Sequence, residues 1–151
     1  MHILTKTTWL PVSLDQAWEF FCSPDNLALI TPKDMNFHIL DRSGSKEMFA
    51  GQIIQYKVSI LPFLRLRWVT EITHVENKKF FVDEQRFGPY RFWHHKHFFY
   101  PENGGVRMVD IVHYKLPLGF LGRMIEPFLV APKLEKIFSF REEVIQKIFH
   151  K

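Results

Sequence analysis

Two histidines separated by one residue are the side chains of this sequence best placed to do chemistry. His95 and His97 lie in a segment with the alternating pattern of a β-strand. Because side chains alternate between the two faces of a strand, both imidazoles point to the same side, together with Trp93. Asp110 follows on the next predicted strand, across a Gly104-Gly105 turn, where its carboxylate can reach the imidazoles. Such a set can form a buried hydrogen-bonded network, hold a metal ion or perform acid–base catalysis.

These three uses make different demands on the rest of the sequence. A metal site is indicated by a third convergent histidine, a cysteine pair or a His-Glu helix motif, and the sequence offers none of these. Acid–base catalysis requires a substrate proton within reach of the base, which is a matter of geometry. The sequence therefore favours a network in which Asp110 orients one imidazole, and it predicts neither a bound metal nor a cofactor.

Further polar and aromatic candidates alternate along the neighbouring predicted strands. Asp83 and Gln85 share one face of the preceding strand with aromatic residues, which predicts polar anchors inside an aromatic pocket. On the predicted strand 64–75, either face could be buried. Trp68 favours burial of the face on which it lies. Tyr114 lies on the same face of its predicted strand as Asp110. The residues predicted to contact a ligand are Trp68, Asp83, Gln85, Trp93, His95, His97, Asp110, Tyr114, Phe128 and Phe138.

Turn signals and apolar periodicity predict the elements that position these side chains. Seven strands are expected, and the last six follow one another without helices, which is typical of an antiparallel meander. Ser13 and Gln16 match a capping box that begins a short helix, and Ser23-Pro24 begins a second one. The predicted strands are 1–10, 37–40, 51–60, 64–75, 80–87, 91–100 and 106–116.

The C-terminal part of the sequence predicts a long amphipathic helix that begins near Lys133. Two glycines and two prolines between 118 and 132 predict a short helix, a break and a restart before it. A helix with one apolar side needs a partner surface, and a curved sheet supplies one. The helical stripe is formed by Leu134, Ile137, Phe138, Arg141, Val144, Ile145 and Ile148. The cavity wall is predicted to include Phe128, Leu129, Leu134 and Phe138.

Composition limits the class of protein and the kinds of partner. The 151 residues fit one domain with a real core, and 16 phenylalanines argue against disorder. The net charge of +4 comes from scattered basic residues, so nucleic-acid binding is not expected. The single cysteine, Cys22, excludes an internal disulfide and fits a reducing cytoplasm. No signal-peptide pattern and no apolar run of about 18 residues is visible, so we expect a cytoplasmic protein without stable membrane insertion.

One stretch of the sequence also carries a family resemblance. It reads Gly88-Pro89-Tyr90, Trp93-x-His95-x-His97-x-Phe99, Gly104-Gly105 and Asp110-x-Val112-x-Tyr114-x-x-Pro117-x-Gly119. This pattern resembles the ligand-binding SRPBCC proteins of the START and polyketide-cyclase superfamily, and the order of elements agrees over nearly the whole chain. The resemblance implies an α+β helix-grip fold, in which a curved seven-stranded antiparallel sheet wraps around a long C-terminal helix and two short helices follow strand 1. It also implies a cavity for an apolar ligand, but no particular reaction.

The sequence therefore predicts a single ligand-binding domain over residues 1–151, monomeric or weakly dimeric, whose partner is a small hydrophobic or amphipathic molecule. One alternative is an enzyme of cyclase or hydratase type that uses His95 or His97 as a base with Asp110 behind it, as in cyclase relatives of this fold. Another is a module that docks a macromolecule or a membrane through an exposed apolar patch. That patch would consist of Phe120, Leu121 and Ile125, near Arg123.

Overall fold

A single antiparallel sheet of seven strands forms the framework of the computed structural model, which describes residues 1–61 and 63–150. The order across the sheet is β1-β7-β6-β5-β4-β3-β2, so β2 to β7 form a continuous meander and β7 pairs with the first strand. The predicted meander is confirmed. The strands are β1 (His2–Leu10), β2 (His38–Arg42), β3 (Ile53–Leu61), β4 (Leu64–Glu76), β5 (Phe80–Phe87), β6 (Phe92–Glu102) and β7 (Gly105–Lys115).

Two short helices follow β1, as the sequence predicts. Helix α1 (Leu14–Phe21) begins with the expected capping box: the Ser13 hydroxyl accepts a hydrogen bond from the Gln16 amide, and the Gln16 side chain accepts one from the Ser13 amide. Helix α2 (Pro24–Leu27) begins with proline at its first position, and a 3-10 turn (Lys33–Met35) precedes β2. These elements lead the chain from β1 to the opposite edge of the sheet.

The C-terminal helical region is less interrupted than the sequence predicts. Helix α3 (Gly119–Ile125) passes through a π-helical segment (Glu126–Val130) directly into helix α4 (Ala131–Phe149). The predicted break is therefore wrong. Pro127 and Pro132 each lie at the second position of a new helical segment, so the two prolines coincide with changes of helix type rather than with a break.

Helix α4 is held against the sheet at two places along its length. Near its C-terminal end, Ile145 belongs to a buried cluster that includes residues of α1, β1 and β7. Near its N-terminal end, Leu134 and Phe138 pack with Val112 and Tyr114 of β7. The helix is thus anchored at both ends of its apolar stripe, and this leaves room for a cavity along the sheet beside it.

We predict that Ile145→Ala destabilises the protein by about 2–5 kcal/mol, because it removes a fully packed side chain between α4 and the sheet. Glu143→Ala, an exposed change on the same helix, should leave the stability within about 0.5 kcal/mol of the parent. Urea unfolding followed by circular dichroism measures both values. Equal stabilities for the two variants would contradict the packing of α4 on the sheet.

Candidate functional site

The register of three neighbouring strands brings two histidines and two carboxylates together. Asp83 of β5 lies directly opposite His95 of β6, and His97 of β6 lies directly opposite Asp110 of β7. Directly opposed residues have Cβ atoms roughly 4.5–5.5 Å apart, so all four side chains meet on the inward face of the sheet. The predicted convergence of His95, His97 and Asp110 is therefore present, and Asp83 joins it from the other side.

Each imidazole lies between the two carboxylates. Nε2 of His95 is 2.9 Å from Oδ1 of Asp110, and Nδ1 of the same ring is 3.6 Å from Oδ2 of Asp83. Nε2 of His97 is 2.7 Å from that Asp83 oxygen. Nδ1 of His97 is 2.9 Å from Oδ1 of Asp110, but off the line of a good hydrogen bond. The two rings are in close contact, with their centroids 3.7 Å apart and their planes tilted by 35°.

Burial and charge together set the protonation of this cluster. Burial would raise the pKa of Asp110, but hydrogen bonds from His95 and His97 and their charges hold it well below its usual range. Burial alone would likewise raise the pKa of Asp83. The same two imidazoles outweigh burial, so the pKa of Asp83 is lowered. Burial lowers the pKa of His95, and the charge of His97 lowers it further. At His97 the carboxylates outweigh burial and raise the pKa, so His97 is the ring that carries the compensating positive charge more readily.

The cluster forms part of the wall of a cavity between the sheet, the short helices and α4. This cavity has a volume of about 180 Å³. Asp83, His95 and His97 face into it, whereas Asp110 lies behind the imidazoles and borders a smaller cleft between β1, β7 and α4. Most of the remaining wall is apolar or aromatic, and it includes Phe37, Ile54, Val58, Trp68, Ile72, Phe81, Trp93, Leu134 and Phe138.

Arg141 and Tyr56 are polar residues of this wall that are not among the predicted ligand contacts. Nε of Arg141, on α4, is buried without a hydrogen-bond partner among the described residues, and the guanidinium carbon lies 5.0 Å from the centre of the Phe138 ring. Burial lowers the pKa of Arg141, against the opposing charges of Asp110 and Asp83. Tyr56 of β3 shares a 2.7 Å hydrogen bond with the Thr70 hydroxyl. Both residues carry a signal in the sequence, since Arg141 interrupts an apolar stripe and Tyr56 alternates with apolar residues.

Six of the ten predicted ligand contacts line the cavity. They are Trp68, Asp83, Trp93, His95, His97 and Phe138. The sequence does not decide which face of β4 is buried. In the structure the buried face is that of Trp68, which lines the cavity together with Thr70 and Ile72. The other four residues, Gln85, Asp110, Tyr114 and Phe128, lie outside the cavity wall.

Local hydrogen bonds explain why Gln85 and Tyr114 are not in the wall. The Gln85 amide donates to the carbonyl of Tyr90 at 2.6 Å and accepts from its backbone amide at 3.1 Å, so both ends are engaged in the β5–β6 connection. The hydroxyl of Tyr114 donates to the buried carboxylate of Glu126 in the π-helical segment. Both side chains therefore hold the backbone around the site, and the prediction that they face a ligand is corrected.

The prediction that Phe128 belongs to the cavity wall is wrong. Its side chain is 83% exposed, and Leu129 beside it is also exposed. Glu126 points inward to Tyr114, and a residue two positions further along a helix lies on roughly the opposite side. The inward contact of Glu126 therefore turns Phe128 to the surface.

Comparison with known proteins identifies the fold. No protein-family model and no curated protein matches the sequence. Among solved structures, protein TTHA0849 from Thermus thermophilus has a TM-score of 0.73 at 14% identity, over 97% of this chain and 99% of that one. Protein CV1439 from Chromobacterium violaceum has a TM-score of 0.75 at 8% identity, over 99% of this chain and 97% of that one. A point mutant of norcoclaurine synthase from Thalictrum flavum, in complex with a transition-state analogue, has a TM-score of 0.68 at 12% identity, over 97% and 94% of the two chains.

At such low identities the similarity shows the fold alone, and the predicted α+β helix-grip fold is confirmed. The curved seven-stranded antiparallel sheet and the long C-terminal helix are the features in common. Within the described residues, no helix has both the length and the apolar character that crossing a membrane requires.

We predict unequal stability losses on removal of the two carboxylates. Asp110→Ala should cost about 3–5 kcal/mol, because Asp110 lies behind the imidazoles and is 3% exposed, so a buried partner is left uncompensated. Asp83→Ala should cost less, about 1–3 kcal/mol, because Asp83 faces the cavity, where water can take its place.

Urea unfolding of the two variants measures this difference in the free energy of unfolding. The change Glu84→Ala, next to Asp83 but on the opposite face of β5, is the control for loss of a carboxylate alone. A larger loss for Asp83→Ala than for Asp110→Ala would contradict the division between a buried carboxylate and a cavity-facing one.

Proposed function

We propose that this chain is a ligand-binding member of the SRPBCC superfamily that binds a small hydrophobic or amphipathic molecule in the cavity beside α4. The observation that carries the proposal is a mostly apolar cavity with a charged cluster confined to part of its wall. Apolar walls contribute affinity through burial, and a few fixed polar groups orient the ligand. The helix-grip neighbours support this use of the fold, since one of them is an enzyme solved with a small molecule bound.

The size of the cavity indicates the kind of ligand. An apolar cavity of roughly 150 Å³ is enough to bind benzene in an engineered protein. The cavity of about 180 Å³ therefore admits a molecule with a small ring system before any wall residue moves. Trp68 and Trp93 meet edge to face with centroids 5.3 Å apart and present aromatic surface to such a ring.

Unsatisfied polar atoms indicate that the ligand also has a polar end. Nε1 of Trp68 and Nε of Arg141 are buried donors without a hydrogen-bond partner among the described residues. A buried donor without a partner costs roughly 1–3 kcal/mol, so an acceptor on the ligand would gain affinity by satisfying it. Both residues line the same cavity. This combination favours an amphipathic molecule over a plain hydrocarbon.

We predict that an environment-sensitive apolar dye binds in the cavity and that Trp93→Ala weakens its binding about tenfold, which corresponds to a loss of about 1.4 kcal/mol of contact energy. Phe92→Ala is the matched control, because Phe92 is the neighbouring aromatic residue but lies on the outer face and is 38% exposed. Fluorescence titration measures both affinities. Equal affinities in the two variants, or no saturable binding in the parent, would contradict the cavity as the site.

A second candidate function is supported by the surface of α3 and the π-helical segment. Seven large apolar side chains of this region are exposed, which is an unusual density for a soluble surface. They are Leu118, Phe120, Leu121, Met124, Ile125, Phe128 and Leu129. Three of them, Phe120, Leu121 and Ile125, are the patch expected from the sequence. We propose that this surface, the α3 patch, lies in the interface of a lipid bilayer without spanning it.

Charge supports a membrane as the partner of the α3 patch. Between residues 115 and 130 the exposed charges are those of Lys115 and Arg123, and both are positive. The one acidic residue of that stretch, Glu126, is buried against Tyr114. An amphipathic helix with exposed apolar residues and flanking basic residues is typical of binding to anionic lipid.

We predict that the protein sediments with vesicles that contain anionic phosphatidylserine and much less with vesicles of phosphatidylcholine alone. Replacing both Phe120 and Phe128 by Ser should reduce the bound fraction severalfold, because each buries apolar area at the lipid interface. Phe87→Ser is the control for loss of an exposed phenylalanine, since Phe87 is 64% exposed and lies in β5, outside α3 and the π-helical segment. Binding that is unchanged in the double variant, or lost equally in Phe87→Ser, would contradict the α3 patch as the contact surface.

A further inference from the structure

Three side chains of the cavity wall have the geometry of a metal-binding set. Asp83, His95 and His97 each offer one ligand atom, and these atoms lie within 4.8 Å of one another. We propose that they bind a divalent first-row transition metal ion, with its open coordination positions directed into the cavity. The sequence alone predicts no metal, because no third histidine, cysteine pair or His-Glu helix motif accompanies the two histidines. The strand register adds a ligand atom that the sequence did not place there, since it brings the carboxylate of Asp83 opposite His95.

The spacing of the ligand atoms fits a single ion. Metal–ligand bonds of about 2.0–2.2 Å place neighbouring ligand atoms about 2.9–3.5 Å apart in octahedral or tetrahedral geometry. The Asp83 oxygen is 2.7 Å from Nε2 of His97 and 3.6 Å from Nδ1 of His95, values on either side of that range. All three ligand atoms lie within 4.8 Å of one another, so small rotations of the side chains would bring them onto one ion.

The hydrogen bond at the far side of His95 leaves its near nitrogen free to bind a cation. Asp110 is an acceptor only, so Nε2 of His95 carries the hydrogen of their 2.9 Å bond. In the neutral ring, Nδ1 is then an unprotonated lone pair. That lone pair faces the Asp83 carboxylate at 3.6 Å, and no hydrogen-bond donor of the described chain reaches it. Two acceptors that face each other in a buried wall repel, and a cation between them turns the repulsion into attraction.

Asp110 has the position of a carboxylate that supports metal ligands from behind. In metal sites the ligating imidazole usually donates its other N–H to a carboxylate, which fixes the tautomer and orients the ring. Asp110 lies within 2.9 Å of the distal nitrogen of both imidazoles and does not line the cavity. Asp110 therefore orients His95 by a hydrogen bond and lies beside Nδ1 of His97. Because Nε2 of His97 donates to Asp83, binding of a metal there would release that proton to solvent.

The ligand set indicates which ions fit and what they could bind. Two imidazoles and one carboxylate with open positions suit zinc or iron(II), whereas calcium and magnesium prefer oxygen ligands alone. The two negative charges of Asp83 and Asp110 and the three positive charges of Arg141 and a divalent ion would add up to a net charge of +1. A fourth ligand with one negative charge, such as hydroxide or an ionised oxygen of the molecule in the cavity, would balance it.

The test is a titration of the full chain with Co²⁺ after treatment with chelator and dialysis. We expect one equivalent to bind with visible absorption bands, to be displaced by Zn²⁺, and to raise the thermal midpoint of unfolding. Asp83→Asn and His95→Ala should each weaken Co²⁺ binding at least tenfold. Asp110→Asn should retain one equivalent but weaken it by roughly 10–100-fold, as loss of an orienting carboxylate does in other metal sites.

Control variants keep this test decisive. His94→Ala removes a histidine of the same strand from the opposite face and should leave Co²⁺ affinity unchanged. Asp83→Asn preserves the size of the side chain, so it remains informative even if His95→Ala does not fold. An absence of saturable binding in the parent, or equal affinity in the parent and Asp83→Asn, would overturn the proposal and leave a hydrogen-bonded network. The outcome is separate from dye binding, since either site can be occupied without the other.

Discussion

Compensation of buried charge is the constraint on which the rest of this structure depends. Two carboxylates, Asp83 and Asp110, lie in the interior between a sheet and a helix, where an isolated ionised group would cost several kcal/mol. The imidazoles of His95 and His97 between them, and the guanidinium of Arg141 nearby, make their ionisation possible. The pairing of β5, β6 and β7 and the position of α4 must all be maintained for these charges to remain balanced.

The same arrangement separates the roles of the two carboxylates. Asp110 is enclosed by β1, β7 and α4 and can only support the imidazoles, whereas Asp83 retains one side open to the cavity. A polar group that is both charged and accessible within apolar walls is a feature of binding and catalytic sites. The chemistry of the cavity is therefore concentrated on the side where Asp83, His95 and His97 meet the aromatic residues of β4 and β6.

Much of this could be predicted from the sequence, because the elements follow local rules. The capping box at Ser13, the turn before β7 and the period-2 alternation of β6 depend on neighbouring residues, and each predicted its element. Contacts between distant segments were harder. The sequence did not show that Glu126 would bind Tyr114, and this contact decides that Phe128 faces outward. Nor did it show that Asp83 lies opposite His95, since the register of β5 on β6 depends on the whole sheet.

The alternation of β6 also has a consequence for how the sheet assembles. A slip of one residue between β6 and its neighbours would turn His94 and Lys96 inward and expose His95 and His97. The two carboxylates would then face a lysine and an unmatched histidine in an apolar interior, and Phe99 would leave the core. Such mispaired forms would be far higher in free energy than the native one. We therefore expect the cluster to favour the native strand register during folding.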